Sequence, residues 1–120
     1  MKHIESHIQQ ACFTWFRLQF PDLALLMFAV PNGGSRRRIE AKKKKEDGVP
    51  AGVADVLFLY PNSEYHGLCI EFKTEKGRQQ PSQKCFQQAV EAQGYQYAIV
   101  RSVEDFIELV KKYVFQTRKA

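Results

Sequence analysis

The sequence predicts an α/β fold in which a small mixed β-sheet is flanked by helices. Three observations predict it. Apolar residues at helical spacing mark both ends of the chain, strand-length apolar runs fill the interior, and turn-forming residues separate them. The expected order is helix, strand, charged helix, strand, strand, helix, strand, helix. That order suits helices layered on one sheet, and the chain contains no internal repeat or linker.

Each element has its own signal. Ile4, Ile8, Ala11, Cys12, Trp15 and Phe16 recur at helical spacing over residues 3–20, and Pro21 ends the pattern. Leu25 to Val30 is an apolar run of strand length. Pro31-Asn32-Gly33-Gly34 is a turn, and the charged run from Arg36 to Asp47 predicts a second helix. Gly48-Val49-Pro50-Ala51-Gly52 breaks it. A strand is expected over Ala54–Tyr60, a turn at Pro61-Asn62-Ser63-Glu64, and an antiparallel partner strand over His66–Thr74. Glu75 to Gln80 is a polar connector. Pro81 suits the first position of a helix running to Gln93, and Gly94 suits its end. Tyr95 to Val100 is the last strand. Ser102 is placed to cap a final helix, with Asp105 three residues on and Phe106, Leu109, Val110 and Tyr113 as its apolar stripe.

The length of 120 residues predicts a single domain over residues 1–115 with a basic tail at 116–120. Lys+Arg 18 against Asp+Glu 13 gives a formal charge of +5. That balance favours polyanionic partners without establishing one. The three cysteines, Cys12, Cys69 and Cys85, form no zinc or CxxC pattern and are expected as small apolar core residues in a reducing compartment. Met1-Lys2-His3-Ile4-Glu5 leads straight into the amphipathic pattern, unlike a secretory leader. No apolar run is long enough to cross a bilayer, so no membrane partner and a cytoplasmic location are expected.

The chemistry concentrates on two neighbouring strands. Asp55 opens the run Asp55-Val56-Leu57-Phe58-Leu59-Tyr60, and Glu71 and Lys73 sit two apart in Leu68-Cys69-Ile70-Glu71-Phe72-Lys73. Period-two geometry puts Glu71 and Lys73 on one face. Charges inside apolar strands are costly unless paired or bound to a metal. Two carboxylates suit Mg²⁺ or Mn²⁺, which prefer oxygen ligands, and a nearby lysine can orient or help deprotonate an attacking water. This is the equipment of a metal-dependent phosphodiesterase.

The order of elements and the Asp55 … Glu71-x-Lys73 spacing resemble the PD-(D/E)xK nucleases, whose core is restriction-endonuclease-like. Within them the chain is similar to the VRR-NUC family, the virus-type replication-repair nucleases. The resemblance runs from Glu5 to about Phe106. It is carried by Glu5 and Gln9 in the first helix, by Pro31-Asn32-Gly33-Gly34 with Arg36, Arg37 and Arg38 just after, and by Gly48-Val49-Pro50-Ala51-Gly52-Val53-Ala54-Asp55. Glu71-Phe72-Lys73, Pro81-Ser82-Gln83 and Tyr97-Ala98-Ile99-Val100-Arg101-Ser102 complete it. Ala54 stands where the family usually has Pro, and Gln80 where relatives often carry a Ser helix cap. Neither change removes a ligand.

The resemblance implies a Mg²⁺- or Mn²⁺-dependent DNA endonuclease. Asp55 and Glu71 would be metal ligands, with the backbone carbonyl of Phe72 as a third oxygen. Lys73 would stabilise charge on the phosphate, Glu5 would bind metal directly or through water, and Gln83 would touch the nucleophile, the lysine or DNA. Asn32, Gly33 and Gly34 would approach phosphate through backbone N–H groups. Arg36, Arg37 and Arg38 with Lys42, Lys43, Lys44 and Lys45 would contact the DNA backbone, which positions DNA but reads little sequence. The chain resembles the stand-alone phage or bacterial members, similar to homodimeric resolvases of four-way (Holliday) junctions. A phage-encoded member would work in the bacterial host cytoplasm. The alternatives are a nickase or flap nuclease acting with a phage replication or packaging partner, and a non-catalytic DNA-binding module. His3 and His7, four apart, lack a third zinc ligand nearby.

Overall fold

The computed structural model describes residues 2–31 and 48–116, with side chains described from Glu5 onward. The turn at Asn32–Gly34, the charged helix expected over 36–47 and the tail at 117–120 lie outside the described residues. The chain runs α1 (Lys2–Gln19), a 3-10 helix (Pro21–Leu26), β1 (Met27–Ala29), β2 (Val56–Phe58), β3 (Leu68–Phe72), α2 (Pro81–Ala92), β4 (Gln96–Val100) and α3 (Val103–Gln116).

The four strands form one mixed sheet in the order β1-β2-β3-β4. β1 pairs antiparallel with β2, with Phe28 opposite Leu57, and β2 pairs antiparallel with β3, with Val56 opposite Ile70. The hairpin expected between residues 54 and 74 is therefore present. Its turn is held by the Asn62 carboxamide oxygen, which accepts from the amides of Glu64 (2.9 Å) and Tyr65 (2.7 Å). β4 lies parallel to β3, with Glu71 opposite Ile99, and α2 is the crossover that parallel strands require.

Alternation along the strands gives each side of the sheet its own core. On one side Val56, Phe58, Ile70, Phe72 and Val100 pack against α1 and α3 through Phe16, Phe106, Val110 and Tyr113. Phe16 meets Phe58 edge-on with centroids 5.3 Å apart. On the other side Ala54, Cys69 and Tyr97 pack with Leu57, Ile99 and the α2 residues Phe86 and Val90. Glu71 shares the face of Cys69, so it lies under α2.

Three expectations are corrected in detail. The strand expected over 25–30 is only Met27–Ala29, because Pro21 starts a 3-10 turn that continues to Leu26, and Leu25 is 93% exposed. Cys12 and Cys69 are buried as expected, but Cys85 is exposed on α2. Burial pushes the Cys12 thiol up to about 12 and the Cys69 thiol to about 11, which keeps both protonated and unreactive. Ser102 Oγ accepts from the Asp105 amide at 3.0 Å, but the Asp105 carboxylate bonds the Arg101 amide (3.1 Å), one residue beyond a standard capping box. Among the described residues no helix is long and apolar enough to cross a membrane.

Candidate active site

Asp55 sits at the bend that opens β2. Extending the β2–β3 register one step past Val56 and Ile70 places Asp55 directly opposite Glu71. The ladder ends in a side-chain contact there: the Phe72 amide donates to Asp55 Oδ2 at 2.7 Å. Residues directly opposite in an antiparallel pair share a face, and like charges so placed repel. Glu71 is 2% exposed. Burial, then the Asp55 carboxylate, push its carboxyl up from 4.5 to about 8, against the pull of Lys73.

Lys73 follows one strand period later, half-buried, with its amide bonded to the Val100 carbonyl at 3.0 Å. Gln83 enters from the first turn of α2. Its Oε1 accepts from the Gln80 amide at 2.7 Å, which turns its Nε2 to donate to Glu71 Oε2 at 2.8 Å. Gln80 thus replaces a serine cap without loss of the helix start. Gly52 holds the same turn from below. Its φ of +83° is the left-handed region, and a Cβ there would overlap the Ser82 carbonyl and come within 2.8 Å of the Gln83 amide nitrogen. Next to it, Ala54 is fully buried beside Cys69 and Tyr97.

The structure therefore brings together Asp55, Glu71, Lys73 and Gln83. Glu5 is half-buried on α1, which packs on the far side of the sheet from Glu71. Among the described residues no group of three or more His, Cys, Asp and Glu side chains could by itself hold a metal ion. Gln9 lines a groove of about 370 Å³ between α1 and β1. Asn32, Gly33, Gly34, Arg36, Arg37, Arg38 and Lys42 to Lys45 lie outside the described residues. The paired carboxylates supply hard oxygen donors. Burial first, and then the facing Asp55 charge, disfavour an ionised Glu71, and a divalent cation would offset both, so the donor set fits a hard divalent cation.

The family model for the VRR-NUC domain matches residues 5–104. The chain belongs to the VRR-NUC family. Membership implies a nuclease-type function in DNA processing. A solved structure of a VRR-NUC domain protein is similar over 93% of this chain and 88% of that one, with 25% sequence identity and a TM-score of 0.81. No curated protein sequence matches.

In this VRR-NUC domain two polar side chains that motif spacing does not single out also lie beside Glu71. Tyr97 on β4 places its hydroxyl 3.4 Å from Glu71 Oε1, and Gln79 on the β3–α2 connector donates to that hydroxyl at 3.2 Å. Tyr97 has a readable signal, since alternation puts it on the face of Glu71 and a buried phenol needs a partner. Gln79 sits in irregular chain and has none.

The raised Glu71 carboxyl makes stability depend on pH. Between about pH 4.5 and 8 the folded VRR-NUC domain keeps a proton that the unfolded chain releases. The stabilisation is full below 4.5 and is lost as pH rises through about 8. In EDTA, the melting temperature of the wild type is expected to fall across that window, and Glu71→Gln to flatten the fall. Thermal melts at pH 5, 6.5 and 8 measure both.

Proposed function

We propose that the protein is a divalent-metal-dependent, structure-specific DNA endonuclease that acts as a homodimeric resolvase of four-way junctions. The observation that carries the reading is the opposition of Asp55 to buried Glu71, with Lys73 one strand period on. Asp55 and Glu71 would hold Mg²⁺ or Mn²⁺. The Phe72 carbonyl, which in a strand points to the same side as the amide that Asp55 engages, would be the third oxygen. Bound there, the cation supplies Lewis acidity toward the scissile phosphate and toward a water. The Lys73 ammonium stabilises charge developing on the phosphate oxygens. Gln83 fixes one oxygen of Glu71 and keeps the carboxylate from rotating.

Binding rests on charge. The formal +5 and the basic run of Arg36 to Arg38 and Lys42 to Lys45 favour the DNA backbone, and exposed Lys76, Arg78 and Lys84 add to it near the start of α2. A homodimer follows from the substrate: two symmetric nicks need two sites related by a two-fold axis. Exposed Leu18, Leu25, Phe28, Leu59 and Phe115 are apolar residues available to such a contact.

The test is cleavage of a labelled four-way junction beside linear duplex and flap DNA, in Mg²⁺, Mn²⁺ or EDTA, by wild type and Glu71→Gln. Paired symmetric nicks in the junction that need metal and Glu71 are expected. Cleavage confined to the flap or a nicked duplex would favour the partner-dependent nuclease. Tight, salt-sensitive binding with no cutting would favour the DNA-binding module.

A further inference from the structure

Glu71 is held from two sides. Gln83 engages Oε2, and the Tyr97 hydroxyl faces Oε1. Tyr97 is 8% exposed, with its ring against Phe86 at 6.5 Å between centroids. The direction of its hydrogen bond follows from donor counting. Gln79 Nε2 has two hydrogens. It gives one to Gln87 Oε1 at 2.8 Å and the other to Tyr97 Oη at 3.2 Å. Gln87 is turned the right way for this, because its own Nε2 donates to Glu91 Oε2 at 3.1 Å. With the Tyr97 oxygen already accepting, its proton points to Glu71.

We propose that Tyr97, oriented by Gln79, is a positioning residue that sets the Glu71 carboxylate for cation binding. The proposal rests on the nuclease reading above in taking Glu71 as a ligand. The chain Gln87–Gln79–Tyr97 ties that carboxylate to the second turn of α2, while Gln83 ties it to the first turn of the same helix. The two oxygens are thus fixed by independent donors, one from α2 and one from β4. A carboxylate restrained in this way loses little rotational freedom when it takes a cation. Removing an outer partner of a metal ligand commonly costs about 10- to 100-fold in metal affinity or activity.

The experiment is calorimetric titration of Mn²⁺ into the DNA-free protein, for wild type, Tyr97→Phe, Gln79→Leu and the double variant, with junction cleavage as a second readout. Tyr97→Phe is expected to weaken Mn²⁺ binding about tenfold and to raise the Mn²⁺ needed for half-maximal cleavage by the same factor, with KM for DNA unchanged. Gln79→Leu is expected to give a smaller loss. The double variant should be no worse than Tyr97→Phe alone, since both act through one hydroxyl. Wild-type Mn²⁺ affinity in folded Tyr97→Phe, or additive losses in the double variant, would overturn the proposal and leave the nuclease reading standing if the wild type cuts. A wild type that neither binds Mn²⁺ nor cuts would overturn both. Should Tyr97→Phe fail to fold, unchanged Mn²⁺ affinity in Gln79→Leu is the overturning result.

Discussion

Asp55→Asn is expected to abolish metal-dependent cleavage, to keep DNA binding and to make the metal-free protein more stable above about pH 8, where Glu71 is ionised as well. The amide conserves shape, and its oxygen can still accept from the Phe72 amide as Asp55 Oδ2 does. It removes one of two carboxylates that face each other across the β2–β3 ladder, both of them ionised when a cation is bound or the pH is above about 8. A cation held by both carboxylates then loses an ionised ligand. We expect cleavage to fall about a thousandfold or more, which is about 4 kcal/mol of transition-state stabilisation. Above about pH 8, stability should move the other way. The Asp55 charge is one of the causes that raise the Glu71 carboxyl, so once Glu71 is ionised its removal relieves repulsion beside a buried group. Opposite signs for activity and stability are the signature of a strained site rather than of a damaged fold. Cleavage rates, DNA-binding isotherms and thermal melts on the same preparation check all three. A variant that is inactive and less stable would point to a structural role for Asp55 instead.

Gly52→Ala is the second large effect. The position combines a φ of +83° with backbone contact to Ser82 and Gln83. The strain of a Cβ in left-handed backbone is about 1–2 kcal/mol. The overlap with the Ser82 carbonyl adds a packing cost of about 1–3 kcal/mol. Relief requires the first turn of α2 to move outward, and that turn carries Gln83. We expect a loss of about 2–5 kcal/mol together with a fall in cleavage per folded molecule, because Glu71 loses its Gln83 donor. Gly48→Ala is the internal comparison. Its φ of +103° carries similar strain, but a Cβ there meets nothing within 4 Å. It should lower stability by the strain alone and leave cleavage per folded molecule unchanged. Equal activity losses at both glycines would show that loop strain, not the contact with α2, is what matters.

These two effects also separate what was legible in the chain from what was not. Strand alternation alone puts Glu71 and Lys73 on one face, and the turn residues between 60 and 66 announce the β2–β3 hairpin. The opposition of Asp55 to Glu71 is different, because it depends on register. A slip of one residue would have sent Asp55 to the other face. The role of Gly52 depends on a tertiary approach between a loop and α2, and no local pattern encodes that. The same holds for Gln79, which sits in irregular chain yet orients Tyr97. Leu25 misled for a simple reason: a short apolar run fits a strand or a turn equally well, and Pro21 decided for the turn. Gln80 was notable as a departure from a serine cap. Its backbone amide, bonded to Gln83 Oε1, serves the site in a way that residue identity alone does not reveal.

We propose that Asp55 and Glu71 jointly hold a divalent cation where the metal-free protein holds a proton. The most direct test is calorimetric titration of Mn²⁺ into the DNA-free wild type at pH 7, repeated in buffers of different ionisation enthalpy, with Asp55→Asn alongside. The expected result is Mn²⁺ binding to the wild type with release of about one proton, and loss of that binding in Asp55→Asn. Binding that survives Asp55→Asn undiminished, or binding without proton release, would contradict it.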